Sequence, residues 1–157
     1  MGIRVKVSFA GLADAKKRLF AKLAEEQTHR LIEYAPLLLK KAYKQSLFTN
    51  RTYNLADSYV WAVYYNGVLK DSGYLYVSKV AEEPSFYHGD EVNGRAMAEA
   101  FVNSYTPQTY MGWDLVLAAT TPYAKWLEKW NFYVLSSIYD EIVEDFGGKA
   151  KITTFNI

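Results

Sequence analysis

Few residues in this chain of 157 could carry out acid–base or metal chemistry, since it holds two histidines and no cysteine. Without a thiol, disulfide bonds, thiolate catalysis and thiolate metal ligands are excluded. His29 lies in a basic helical segment, and His88-Gly89-Asp90 could pair an imidazole with a carboxylate. One such triplet in an acidic loop is more typical of solvated charge than of a catalytic pair.

Two further patterns that could support chemistry are incomplete. The chain has no pair of histidines four residues apart, a spacing that holds zinc on a helix. Gly147-Gly148-Lys149 resembles the end of a phosphate-binding loop, but residues 142–144, where the first glycine should stand, are Ile, Val and Glu. We therefore expect no catalysis, no metal and no cofactor, and a small hydrolase-type enzyme using His88 and Asp90 is the weaker alternative.

The composition is that of one folded domain over residues 1–157. Half of the residues are apolar, and aromatic residues make up 17%, with 14 tyrosines. Tyrosine suits a surface that becomes buried against a partner, and it suits a β-rich core equally well. The charges within residues 1–6 are not typical of a signal peptide, and the apolar run of residues 59–65 is far shorter than the roughly 20 residues of a membrane span.

Charge is unevenly distributed although the net charge is only +1. Residues 1–51 contain 11 basic and 4 acidic residues, whereas residues 52–157 contain 7 basic and 13 acidic residues. Copies of such a chain can meet head to tail, and a solvated basic helix face is an equally good explanation. A nucleic-acid-binding module using the basic first helix is a second alternative, although no sequence-specific binding motif is present.

Periodicity predicts the first half of the secondary structure. Residues 3–9 alternate as a half-buried strand that Gly11 ends, and residues 12–47 form a long helix that Pro36 should kink or split. One face of this helix is apolar and should face the core, comprising Leu12, Leu19, Leu23, Leu31, Tyr34, Leu38 and Ala42. A polar loop over residues 48–54 follows.

The second half predicts a hairpin and shorter elements. Strands over 59–66 and 74–78 are separated by turn signals at Asn66-Gly67 and Asp71-Ser72-Gly73, and residues 80–94 are acidic and irregular. The remaining predictions are a helix over 95–104, a strand over 113–120, helices over 122–130 and 132–146, and a possible strand over 151–155. The resulting fold class is α+β, an antiparallel sheet of about four strands with the long N-terminal helix packed across it and a C-terminal helix.

Three short motifs, in order, resemble those of the neck and minor tail-component (head–tail joining) family of tailed bacteriophages. They are Phe9-Ala10-Gly11-Leu12 at the helix start, Thr52-Tyr53-Asn54-Leu55-Ala56-Asp57-Ser58 before a strand, and Tyr123-Ala124-Lys125-Trp126-Leu127-Glu128 after one. The chain has Tyr53 where the family favours glycine, and Trp130-Asn131 where the family usually has Gly-Thr. Residues 80–110 read as an insertion.

The resemblance implies a structural virion protein with no enzymatic activity. Such a protein forms a ring in the neck and joins the head and portal to the tail, as a head–tail connector or a tail-completion protein. Its implied partners are copies of itself and the portal, adaptor or tail-tube proteins, with DNA passing through the ring. The implied location is the neck or tail region of a virion assembled in the host cytoplasm, without membrane contact.

Interface candidates come from the third motif and from the basic region. Trp126 and Trp130 are four residues apart and share a helix face, so at least one should be buried in the core or against a partner. Glu128 beside them should meet a basic residue of a neighbouring copy. The candidate basic residues are Arg51, Lys40, Lys41 and Lys44. Thr52, Leu55 and Ser58 are more typical of a core position and a turn than of an interface.

Overall fold

One long helix, α1 (Phe9–Gln45), begins the part of the chain that the computed structural model describes, which comprises residues 9–49, 52–76, 85–107 and 111–146. The predicted long helix is confirmed, but Gly11 lies within it and Phe9 begins it. The rest of the predicted first strand, residues 3–8, lies outside the described residues.

Pro36 lies inside α1 without splitting it. A proline within a helix removes one hydrogen bond and costs about 3 kcal/mol or more. On either side of it Ala35, Leu38 and Leu39 are buried almost completely in the core. Because this packing holds the turns directly before and after Pro36 against the same core, it offsets the cost of the proline.

The sheet is antiparallel, as predicted, and its central strand is the most apolar one. The five described strands are β1 (Tyr59–Tyr65), β2 (Val68–Tyr74), β3 (Ser85–Tyr87), β4 (Asp90–Val92) and β5 (Trp113–Ala119). Within the described ranges β2, β1 and β5 form a three-stranded sheet in that order, and β3 and β4 form a separate hairpin. Asn66 and Gly67 both have positive φ, which is the two-residue turn that matches strand twist.

Strand β1 is covered on both faces. Its side chains Tyr59, Trp61 and Val63 lie in the core that α1 covers. The alternate side chains, Val60, Ala62 and Tyr64, lie in a second cluster together with Ala98 and Phe101 of α3 (Gly94–Ser104). The sheet is therefore the middle layer, with α1 on one face and α3 on the other, and this explains the continuous apolar run of β1.

The predicted second strand is displaced by several residues. The prediction placed a turn at residues 71–73, but these residues belong to β2, and residues 77–78 lie outside the described residues. Gly73 pairs with Trp61 across the sheet, and a Cβ atom on Gly73 would lie 2.7 Å from the Trp61 Nε1 atom. This glycine leaves room for an indole ring and does not form a turn.

The segment predicted as an insertion contains regular structure. Residues 85–92, predicted to be irregular, form the β3–β4 hairpin, whose turn has positive φ at His88 and Gly89. Helix α3 is confirmed, and it begins one residue earlier than predicted. Ala98 and Phe101 are buried, whereas Ala100 and Ser104 are exposed.

The C-terminal helices are shorter than predicted. They are α4 (Ala124–Lys129), a 3₁₀ turn (Ser136–Ile138) and α5 (Tyr139–Asp145). Ile138 is buried, and Leu135, Ile142 and Phe146 pack against the α1 core. The possible strand over 151–155 lies outside the described residues. No helix within the ranges described is long and apolar enough to cross a membrane.

Candidate assembly surface

The two histidines are placed apart, and neither belongs to a cluster. His29 lies on the exposed side of α1, with its Nδ1 atom 3.5 Å from a carboxylate oxygen of Glu33 one turn later. His88 occupies the first position of the β3–β4 turn and is exposed. Among the residues that the structure describes, no group of three or more His, Asp or Glu side chains could hold a metal ion.

The Thr52–Ser58 motif forms a buried corner that leads into β1. It contains the single-turn helix α2 (Asn54–Asp57), all of whose residues are buried. The Ser58 hydroxyl donates to the Leu55 carbonyl at 2.7 Å, and the Ser58 carbonyl accepts from the Thr120 amide at 3.2 Å. The structural role predicted for Leu55 and Ser58 is thus confirmed, because both hold this corner together.

Tyr53 precedes this corner with φ of 58°, in the left-handed region. A non-glycine residue in this region costs roughly 1–2 kcal/mol relative to glycine, because its Cβ atom approaches the following carbonyl. Asn131, after α4, has φ of 60°. Tyr53 and the Trp130-Asn131 pair are the positions where the sequence departs from the glycines of the family that it resembles.

Helix α3 docks on the same corner at a point that admits only glycine. The Gly94 amide donates to the Asn54 side-chain oxygen at 2.9 Å. A Cβ atom on Gly94 would lie 1.8 Å from the Asn54 backbone oxygen, well inside van der Waals contact. The sequence predicted the helix, but it contains no signal for this contact, because Gly94 and Asn54 are forty residues apart.

Glu128 finds its partners within its own chain. Its carboxylate accepts from the backbone amides of Leu135 and Ser136 at 2.8 and 3.2 Å, at the start of the 3₁₀ turn. The partners of this carboxylate in the described structure are thus backbone amides of its own chain, and its contact with a basic residue of a neighbouring copy stays a prediction. Tyr59 strengthens the same segment by donating to the Val134 carbonyl at 2.8 Å. Burial and then the nearby Glu128 charge raise the pKa of Tyr59 above its usual value, so the hydroxyl remains a donor.

The two tryptophans share a face of α4, as predicted, and neither is buried. Trp126 is 53% exposed and Trp130 is 62% exposed, with ring centroids 5.7 Å apart. Burial in the core, one of the two predicted alternatives, is therefore wrong. We call Trp126 and Trp130 the tryptophan pair. Two adjacent indoles that are tilted against each other and exposed to solvent are the kind of surface that protein interfaces favour.

The basic candidates differ in how they are engaged. Lys41 pairs with Glu141 of α5, so its charge is already matched within the chain. Lys40 and Lys44 are exposed on α1, and Arg51 lies outside the described residues. On the same side, the Tyr34 hydroxyl donates to Asp145 at the end of α5. The acidic end of α5 is thus held by α1.

The N-terminal half of α1 carries apolar side chains that the sequence assigned to the core. Leu19 is 56% exposed and Leu23 is 50% exposed, whereas Leu31 and Leu38 are buried. At about 100° per residue, Leu38 lies about 100° around the helix from Leu19, so one straight face cannot include both. The prediction for Leu19 and Leu23 is wrong, and this exposed surface is one that sequence reasoning missed.

The exposed side chains described above are suited to protein contacts. They comprise the tryptophan pair, the apolar and charged N-terminal half of α1, and lysines further along α1. Comparison of the chain with protein-family models, with curated proteins and with solved structures found no match. Function therefore has to be inferred from the positions of the motifs and from these surfaces.

Proposed function

We propose that this protein is a ring-forming neck component of a tailed bacteriophage that joins the head and portal to the tail. Its role is structural, and its partners are copies of itself together with portal, adaptor or tail-tube proteins. Two of the three motifs that carry the resemblance stand next to strands, as the resemblance implies. The second motif leads into the central strand β1, and the third forms α4 directly after β5.

The observation that carries this proposal is the backbone at Tyr53. The family pattern favours glycine there, and the φ of 58° is a conformation that glycine adopts at least cost. Trp130, which stands where the family usually has the glycine of Gly-Thr, has φ of −91°, outside the left-handed region. The pattern thus accounts for the left-handed backbone at position 53, which a tyrosine would not predict.

The tryptophan pair supports an assembly role. A ring requires a patch that binds a different patch on the next copy, so each subunit exposes a surface that only assembly covers. Interface hot spots are enriched in tryptophan, and truncating one costs about 2 kcal/mol or more in binding. Trp126 and Trp130, on a short helix beside the anchored Glu128, are suitable contacts of this kind.

The test is genetic complementation in the phage that encodes this chain. Removal of the gene should leave filled heads and separate tails, seen by electron microscopy, and the wild-type gene should restore complete virions. Trp126→Ser with Trp130→Ser should fail to restore joining although the purified variant keeps its melting temperature. Phe86→Ser, another exposed aromatic position, is the matched control. Complete, infectious virions in the absence of the gene would contradict the proposal.

A nucleic-acid-binding role is the second candidate, and exposed charge on α1 favours it. Lys16, Lys17, Arg18 and Lys22 are all exposed in the N-terminal half of the helix. However, Glu25 and Glu26 follow within one turn and reduce the local positive potential. A strong salt dependence of duplex binding would support this role over the neck proposal.

A further inference from the structure

Four exposed residues of α1 form a stripe with coiled-coil spacing. Lys16, Leu19, Leu23 and Glu26 follow one another at intervals of three, four and three residues, which places them on one face of the helix. All four are exposed, and the two leucines are at least half exposed. We call these four residues the α1 stripe.

The α1 stripe lies on a part of the helix that extends past the sheet. The Trp113 indole donates to the Thr28 hydroxyl at 2.9 Å, which marks where the start of β5 meets the helix. Ala24 is buried, and residues 13–23 on its N-terminal side are all exposed. Within the described part of the chain, no other element therefore covers the stripe.

The order of charges along the α1 stripe decides which partner and which orientation fit. In an antiparallel pair of identical stripes, Leu19 of each copy packs against Leu23 of the other. The same register places Lys16 of each copy opposite Glu26 of the other, so two apolar layers are flanked by two layers of opposite charge. A parallel pair would place lysine opposite lysine and glutamate opposite glutamate, which is unfavourable.

We propose that the α1 stripe binds the same stripe of a second copy of this chain in antiparallel orientation. The contact is symmetric, so each copy contributes the same four residues and both charged layers form twice. In the dimer this contact buries Leu19 and Leu23, which are exposed in the free protein.

This pairing goes beyond the proposed neck function and does not depend on it. A ring requires contacts between two different patches, whereas the stripe pairs with itself. The two proposals can therefore fail separately. The ring proposal is tested by head–tail joining in virions, and the stripe proposal is tested by the association of the purified protein alone.

Charge reversal tests the stripe directly. Sedimentation equilibrium over a concentration series should show a monomer–dimer equilibrium for the wild type. Lys16→Glu or Glu26→Lys alone should weaken dimerisation about tenfold or more, because each change places two like-charged layers in the dimer. The double reversal, Lys16→Glu with Glu26→Lys, should restore it. A wild type that stays monomeric, or a double reversal that stays as weak as the single ones, overturns the proposal.

Cysteine cross-linking tests the orientation, since the natural chain has no cysteine. An equal mixture of the Leu19→Cys and Leu23→Cys proteins should form a disulfide-linked dimer of one copy of each under mild oxidation. Ala21→Cys, on the opposite face of the exposed helix half, is the control and should not cross-link at that rate. Faster linking of Leu19→Cys to itself than to Leu23→Cys would indicate a parallel pair and overturn the antiparallel assignment.

Discussion

Replacing Glu128 by lysine should destabilise the monomer, because this carboxylate holds the connection between α4 and the 3₁₀ turn. Two backbone amides, those of Leu135 and Ser136, donate to it. A hydrogen bond to a charged group contributes about 1.5–3 kcal/mol, and the half-buried position of Glu128 favours the lower end. The loss of both bonds should therefore cost about 2–4 kcal/mol.

This loss converts into a measurable fall in melting temperature. For a domain of this size, 1 kcal/mol shifts the melting temperature by about 2–4 °C, so Glu128→Lys should melt about 5–15 °C below the wild type. Thermal and urea unfolding followed by far-UV circular dichroism would measure the change. The urea midpoint should fall while the slope of free energy against urea concentration stays constant.

Two control variants separate the hydrogen bonds from the change in charge. Glu128→Gln retains one acceptor oxygen and should lose about half of the stability that Glu128→Lys loses. Glu99→Lys makes the same charge change at an exposed position of α3 and should stay within about 0.5 kcal/mol of the wild type. If Glu128→Lys melts within 1–2 °C of the wild type, roughly the effect of 0.5 kcal/mol, the anchoring role derived for Glu128 is wrong.

Three further outcomes are expected. At position 53, Tyr53→Gly should be more stable than Tyr53→Ala by about 0.5–1 kcal/mol in urea unfolding, because the backbone is left-handed there. In the interior of a helix the order is the reverse, and alanine is the more stable residue. Gly94→Ala should lower the free energy of unfolding by roughly 3 kcal/mol or more and reduce the yield of soluble protein, because its Cβ atom would overlap the Asn54 carbonyl. A normal yield and a normal melting temperature would contradict this. The purified chain should not shift duplex DNA at physiological salt in a gel assay, and a shift with a steep salt dependence would contradict the near-neutral balance of charge.

Elements with a strong local signal were predictable from the sequence. β1 and β5 are runs of apolar, β-branched and aromatic residues, and both lie where the pattern placed them. The helix of residues 94–104 was found within one residue, because its apolar spacing is regular. In each case, the local pattern and the tertiary environment favour the same conformation.

Errors arose where a distant contact decides the local structure. Gly73 looked like part of a turn, but Trp61 of the adjacent strand occupies the space that a side chain would need. Pro36 was predicted to kink or split α1, and the split does not occur, because the buried residues around it keep the helix continuous. The residues next to Gly73 and Pro36 in the sequence do not indicate what these two residues or their neighbours pack against.

The candidate surface was predictable only in part. That Trp126 and Trp130 share a face follows from helical spacing, but their exposure depends on how α4 lies on the domain. Glu128 was correctly identified as a carboxylate in need of a partner, yet the partners are backbone amides that any residues at positions 135 and 136 would supply. Every residue except proline has a backbone amide, so residue types do not indicate where such a donor lies. The predicted partner was therefore a lysine or arginine.

The two halves of helix α1 should differ greatly in local stability, although the helix is continuous. Its 37 residues extend about 55 Å, whereas the seven residues of β1 extend only about 23 Å, so the length of the sheet is less than half that of the helix. A helix half without tertiary contacts is marginal in water. Amide hydrogens of residues 13–23 should therefore exchange with solvent far faster than those of residues 35–42, which open only when the domain unfolds. Any partner that binds the outer half has to order it as well, and exchange in that half should slow on binding.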